Sequence, residues 1–221
     1  MRKGVATVQR TCMRDRIRDI LVSRILDGTY PAGMQLKELS LAREFSVSQA
    51  PVREALRELE ASSLVTCERF RGTRVRGLDY QEMRESYELR GTLEARAVEL
   101  AMPCPARVID SLSASFEQMK AGLARNDHEQ YVDEALNFHR LLVEASGNRT
   151  FLRTWESFHW DVRARIMLRR IVEAGGAFAP LLDMHAELFQ QMRANDVKGS
   201  IAAIRAVFEY LGAFFKEPDA V

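Results

Sequence analysis

Cysteine is scarce in this chain: three residues in 221, Cys12, Cys67 and Cys104, widely spaced and never in a Cys-x-x-Cys pair. That arrangement excludes a disulfide framework and a structural zinc knuckle, and it predicts a reducing compartment. Proline (6) and glycine (12) are too few for a collagen-like or linker-like chain, and aromatics at 8% are thin for an all-β protein. No apolar run approaches the ~20 residues that span a bilayer, so no membrane partner is expected. The opening Met1-Arg-Lys-Gly-Val-Ala-Thr-Val is basic and lacks the apolar stretch of a secretory signal. What the chain does have is ordinary for a globular protein, 47% hydrophobic and 29% charged. The expectation is a cytoplasmic protein of about two domains.

The net charge of +1 conceals an asymmetry. Residues 1–77 carry 15 Lys+Arg against 9 Asp+Glu, a balance of +6; residues 78–221 carry 17 against 22, a balance of −5. A cationic first part suits a polyanion, and an acidic second part suits another task.

Helical periodicity dominates. Residues 15–27 put Ile17, Ile20, Leu21, Ile25 and Leu26 on one stripe, closed by Gly28. A short helix fits 38–45, with Leu39, Ala42 and Phe45 on its buried side. Ser46-Val47-Ser48 is a tight connection, and Ser48 is a suitable N-cap for a helix over 49–61. Pro51 falls in the first turn of that helix, where its missing N–H does no harm. Val52, Leu56 and Leu59 make the core face. The period then changes: Leu64–Cys67 and Thr73–Arg76 read as a hairpin around Gly72. From residue 78 the pattern predicts six helices, 80–101, 105–124, 128–146, 150–172, 178–194 and 197–215, forming a bundle with its own core.

The fold class is therefore mainly α: a winged helix-turn-helix over 1–77, then an all-helical domain over 78–221. In a helix-turn-helix the second helix enters the major groove and a wing grips phosphate. The candidate DNA-binding residues are Lys37, Ser48, Gln49, Ala50, Pro51, Arg53 and Arg57, with Arg69, Arg71, Gly72 and Arg74 in the wing. Gln49 can present its amide to adenine, and Arg53 has the reach of a phosphate or a guanine. Each taken singly also has a bland account: Arg53 and Arg57 can pair with Glu60 and Glu54, and wing arginines can simply protect a sheet edge.

The stretches Ile25-Leu-Asp-Gly-Thr-Tyr-Pro-Ala-Gly-Met-Gln-Leu, Leu41-Ala-Arg-Glu-Phe-Ser-Val-Ser, Ala50-Pro-Val-Arg-Glu-Ala-Leu-Arg-Glu-Leu-Glu and Arg71-Gly-Thr-Arg-Val resemble the winged helix-turn-helix of the GntR family of bacterial transcription regulators. The chain departs from that family at Gln49, where Arg is usual. Arg90–Ala101, Asn137–Asn148 and His185–Asp196 resemble the helical FCD effector domain of the FadR-type subgroup. The resemblance implies a homodimer on a pseudo-palindromic double-stranded operator, most often as a repressor, controlled by a small-molecule effector such as a carboxylic acid. It also implies Arg90, His139 and His185 as effector contacts; an anionic effector needs a cation beside it, which makes Arg96 and Arg163 weaker candidates, and each of the three arginines has the alternative of a surface or interhelical salt bridge.

Many relatives of this type hold a divalent metal with one Asp and three His. Carried across, that set falls on His139 and His185, while its other two positions are Ala135 and Val207. His139 and His185 are remnants of a four-ligand site, and a divalent metal is the one cofactor the resemblance raises. Glu134, His159 and Glu187 are the substitutes to consider. Two imidazoles alone are a poor site, since a structural or catalytic zinc wants three or four protein donors; hydrogen bonding to an effector, a water or each other is the alternative.

Enzyme motifs fail on spacing. A Glu-x-x-His pair would need an acid where Leu136 and Leu182 stand, and His128-Glu129 is followed by Val132. There is no nucleophile elbow, phosphate loop or dinucleotide fingerprint. The competing reading is a helical metal- or ligand-binding protein, or an enzyme, whose N-terminal domain docks on a protein partner.

Overall fold

The computed structural model describes residues 13–68, 72–76, 79–175 and 178–215. The chain divides into two compact units, Met1–Leu78 and Asp79–Val221. In the first, α1 (Met13–Leu26), α2 (Glu38–Glu44) and α3 (Gln49–Ala61) accompany β1 (Gln35–Leu36), β2 (Val65–Glu68) and β3 (Gly72–Val75). The strands form an antiparallel sheet of order β1-β3-β2, with Val65 opposite Val75 and Leu36 opposite Thr73. The sequence pattern predicted the hairpin but not β1, which is only two residues long. Gly72 has φ +81, a left-handed conformation that glycine adopts freely, and a Cβ there would come within 3.1 Å of Gln35 Nε2.

The core of this unit joins Ile17, Leu21 and Val22 of α1 to Leu41 and Ala42 of α2 and to Val52, Ala55, Leu56 and Leu59 of α3. Two expected core residues are outside it: Ile20 and Leu39 are 41% and 48% exposed. Burial follows the Ile17–Leu21 spacing of four, which turns Ile20 away, and in α2 it follows Leu41 and Ala42 rather than Leu39. Arg24 ties α1 to α2 by bonding Glu44 and the Tyr30 hydroxyl.

The second unit is wholly helical among the described residues: α4 (Tyr80–Ala101), α5 (Ala106–Ala124), α6 (His128–Ala145), α7 (Arg149–Ser157), α8 (Trp160–Glu173), α9 (Ala179–Arg193) and α10 (Val197–Gly212). Short acidic or amide side chains start four of these helices, because each satisfies an N–H of the first turn. Asp79 accepts from Glu82, Asp127 from Gln130, Asn148 from Thr150 and Phe151, and Asp196 from Gly199. α4 packs on α10 and α6, and α5 packs on α6 and α9. Gly91 lets α4 pack tightly on α10, since a Cβ there would lie 3.2 Å from the Phe208 Cβ.

The single helix expected over 150–172 is two. His159, at φ 49, adopts a left-handed conformation between α7 and α8. In a continuous helix, Trp155 and Trp160 would project about 140° apart. The break brings both indoles into one buried cluster with Ala97 and Val143, their centroids 6.4 Å apart. Arg163 holds the junction, donating from Nε to the Phe158 carbonyl at 3.2 Å.

Candidate nucleic-acid interface and effector site

In the first unit, α2 and α3 are joined by Phe45–Ser48. Ser46 takes the left-handed turn at φ 54, and the Val47 N–H donates to the Ala42 carbonyl at 2.9 Å. Ser48 stands at the N-cap of α3 in extended conformation, but its side chain makes no capping bond. Because Val52, Ala55, Leu56 and Leu59 face the core, Gln49, Arg53, Arg57 and Glu60 are left on the solvent side, and Ser48 and Ala50 are exposed beside them. Pro51 is half-buried in the first turn.

Arg53 has a partner that sequence reasoning missed. Its Nε lies 3.0 Å and its Nη2 2.9 Å from Glu38 Oε2, at the start of α2. Glu60 instead accepts the Cys67 N–H at 3.0 Å, so neither acid weighed from the sequence takes Arg53. Lys37 is exposed at the N-cap position of α2, and Arg74 is exposed with its Nη1 3.0 Å from the Gly33 carbonyl. Arg69 and Arg71 lie outside the described residues.

The second unit buries one charged cluster in its interior. Glu94 of α4 is fully buried, and its two oxygens receive three hydrogen bonds: from Arg90 Nε at 2.7 Å, Trp155 Nε1 at 2.7 Å and His139 Nδ1 at 2.6 Å. Burial alone would push this carboxyl up; His139 and the Arg90 guanidinium outweigh it and hold the group at about 2. The guanidinium lies 4.6 Å from the Trp160 ring centroid, 4.9 Å from Phe208 and 5.2 Å from Trp155. That aromatic box suits a cation withdrawn from water. The Arg90–Glu94 pair, four residues apart on one helix, carried no sequence signal of its own, because the same spacing is common on solvated faces.

His139 and His185, from α6 and α9, meet with their Nε2 atoms 3.1 Å apart. Each ring is anchored by its other nitrogen. His185 Nδ1 donates to the Leu181 carbonyl at 2.6 Å, and His139 Nδ1 donates to Glu94. Burial pushes both imidazoles down, His185 to about 3 with His139 adding to the effect, while Glu94 partly opposes the fall at His139. With both Nδ1 atoms donating, a single proton between the two Nε2 atoms makes their contact a hydrogen bond; without it the lone pairs face each other, a point that a hydrogen-bond donor or a cation would close.

Both histidines line a cavity of about 50 Å³ together with Arg90, Tyr131, Ala135 and the apolar side chains of α8 and α9. By the space a water needs, that is room for roughly three or four. Two buried donors there have no partner, Arg90 Nη2 and Tyr131 Oη. Arg96 and Arg163 do not reach this place: Arg96 is exposed and pairs with Glu99, while Arg163 contacts Phe158, Glu82 and Met83. So the structure brings Arg90, His139 and His185 together, and it adds Glu94, Tyr131 and Trp155. The cluster can bind and orient a small anion. It has no nucleophile held by a base.

Residues 13–75 match the bacterial regulatory proteins, gntR family, and residues 85–210 match the FCD domain. The probable D-xylose utilization operon transcriptional repressor of Paenarthrobacter nicotinovorans is 34% identical over 69% of this chain and 68% of its own length. The gluconate operon transcriptional repressor of Bacillus subtilis is 28% identical over 84% of this chain and 78% of its own. Among solved structures, Escherichia coli McbR/YncC superposes with a TM-score of 0.71 at 21% identity, covering 92% of this chain and 97% of that one, a likeness of fold.

Proposed function

This chain belongs to the GntR family of bacterial regulatory proteins and carries its FCD domain, and from that premise we propose which of its residues read DNA and which receive the effector. It is a ligand-responsive DNA-binding transcriptional regulator and not an enzyme, as its relatives are, several of them named repressors. The reading in which the N-terminal domain docks on a protein partner falls with that.

In our reading the protein is a cytoplasmic homodimer that represses from a pseudo-palindromic operator, its two α3 helices about 34 Å apart in successive major grooves. Gln49, Ser48 and Ala50 approach base edges, Pro51 fixes the first turn, and Arg53 and Arg57 reach bases or phosphates. Lys37, Arg69, Arg71 and Arg74 hold the backbone, with Gly72 shaping the wing. The support is the solvent-facing polar side of α3, whose opposite side is core.

The effector is a small hydroxylated carboxylate. The observation that carries this is the pair of partnerless buried donors, Arg90 Nη2 and Tyr131 Oη, on the cavity that the histidines also line. A carboxylate supplies what those donors lack, and a hydroxyl supplies the hydrogen that the facing Nε2 lone pairs lack. A cavity with room for roughly three or four waters makes the shortest hydroxy acids the first compounds to try; the larger sugar acids suggested by relatives named for gluconate and D-xylose operons would need it to open. An effector acts only by its differential affinity for two arrangements of the domain, typically ~1–3 kcal/mol of coupling.

Fluorescence anisotropy with labelled duplexes tests both halves. Binding should be salt-dependent and should weaken when the right acid is added. A chain that ignores duplex DNA in dilute buffer, or whose Tm no acid changes, removes the corresponding half.

A further inference from the structure

The resemblance carries a four-donor divalent-metal site, and the residues standing at that place do not make one. Among the described residues no three His, Cys, Asp or Glu side chains come together as a metal site. Ala135 lines the cavity one turn before His139 and offers a methyl group; Val207, fully buried in α10, offers two. The substitutes fail one by one. Both oxygens of Glu94 are already accepting hydrogen bonds, and turning one to a metal would strand buried N–H donors. Glu134 accepts from Ser115 Oγ at 3.1 Å. Glu187 is exposed and bonds Gln191. His159 lines a different hollow, with Asn137 and Asp161. Burial raises the Tyr131 phenol, so it offers no phenolate. Two imidazole nitrogens remain, short of the three or four protein donors that zinc takes.

We infer that the effector domain of this chain works without a metal: a buried guanidinium boxed by aromatic rings and a facing pair of imidazoles stand where four-ligand relatives hold a divalent cation. Arg90 needs no loading, and it is fixed by Glu94 through Nε while its Nη2 has no hydrogen-bond partner. What survives of the metal site is its outer support. A carboxylate and a backbone carbonyl still orient the two histidines, as they would for ligation. The loss of two donors turns that support to hydrogen bonding. This inference deepens the effector-cavity reading and rests on it for the purpose of the site.

The test uses the full chain, expressed with zinc, nickel and manganese in the medium, and reads metal content by elemental analysis and Tm with and without EDTA. The expected wild type carries far less than one equivalent of any of the three, and EDTA leaves its Tm unchanged. Near-stoichiometric metal, or a Tm that falls with the chelator, overturns the inference. The double variant Ala135→Asp/Val207→His restores the missing donors. It should take up about one equivalent of zinc or nickel and gain a chelator-sensitive Tm, since a ligand that binds only the folded state stabilises it. A folded double variant without metal overturns the claim that these two positions keep the ion out. If it fails to fold, the wild-type metal count and EDTA response still decide. Neither readout requires an effector, so a metal-free chain that binds no acid removes the cavity reading and leaves this one standing.

Discussion

The two candidate sites treat charge in opposite ways. In the first, Arg53, Arg57, Lys37 and Arg74 are exposed, and the Arg53–Glu38 pair lies open to solvent. In the second, Arg90 and Glu94 are buried with both histidines, and each charge is held by named partners. A charge that must meet a polyanion has to stay in water until it does, and a pair held in water adds little to stability. A charge that must meet one small molecule is better fixed beforehand, at the cost of desolvation that only a complete set of partners offsets. Substitutions in the first unit should therefore change binding and spare the fold, and substitutions in the second should do the reverse.

Glu94→Gln gives the largest effect and the sharpest contrast. Leaving the Arg90 guanidinium buried without its counter-ion should lower stability by about 3–5 kcal/mol, as breaking a buried ion pair does. Urea denaturation of the full chain measures it. Replacing both residues with leucine should be less harmful than the two single changes together, because no charge is then left unpaired. A loss near zero for Glu94→Gln would mean that water reaches Arg90, and the contrast between the units would fail.

The pH dependence follows from the same burial. The folded pKa of His185 is about 3, below its unfolded value near 6.5, so the unfolded chain takes up a proton that the folded one refuses. Stability is then full above about pH 6.5 and falls as pH drops toward 3. His139 adds to this slope, and Glu94, held at about 2 by His139 and Arg90 against its burial, adds a further loss as pH falls below the ordinary carboxylate range. The Tyr131 and Tyr87 hydroxyls, which line the same cavity and are pushed up by burial, keep their protons throughout that window. The urea midpoint measured from pH 7.5 to 4 should decline, and His185→Gln should flatten the decline. A midpoint independent of pH would place the histidines in contact with solvent.

Much of this was readable in the sequence, for reasons that differ by region. The helix-turn-helix was legible because Ala42, Val52, Leu56 and Leu59 are spaced to bury one face of each helix. The ends of α4, α6 and α10 were legible because Asp79, Asp127 and Asp196 are start signals whose action is local. What is not local was hidden. The α7–α8 break falls in Trp155-Glu-Ser-Phe-His-Trp, which contains neither glycine nor proline; two indoles in one cluster impose it. The partner of Arg53 was missed because Glu38 is 15 residues away on another helix. Arg90, His139 and His185 were available from resemblance. Glu94, at the centre of the site, was not singled out, because nothing in its neighbours distinguishes a buried i,i+4 pair from a solvated one.

Arg53→Ala brings the comparison back to the first unit. With its guanidinium exposed, the change should leave the denaturation midpoint where it is. It should weaken operator binding about tenfold or more if Arg53 meets a base, and should lower the salt slope by about one contact's worth if it meets a phosphate. Titrations at several salt concentrations separate the two, and an unchanged affinity removes Arg53 from the interface.

Glu38→Gln is the smallest effect and the most specific. Glu38 holds Arg53 in the free protein through contacts of 2.9–3.1 Å, and the same carboxylate would repel an approaching phosphate. DNA and Glu38 therefore compete for one guanidinium, and removing the charge should raise affinity for any duplex a few-fold, with the gain fading as salt screens it. The gain should vanish in an Arg53→Ala background if it comes from freeing Arg53, and persist if it comes only from lowered repulsion. A double-mutant cycle on one random duplex and one operator thus says whether the ion pair is a resting place for Arg53 or merely a neighbour of the groove.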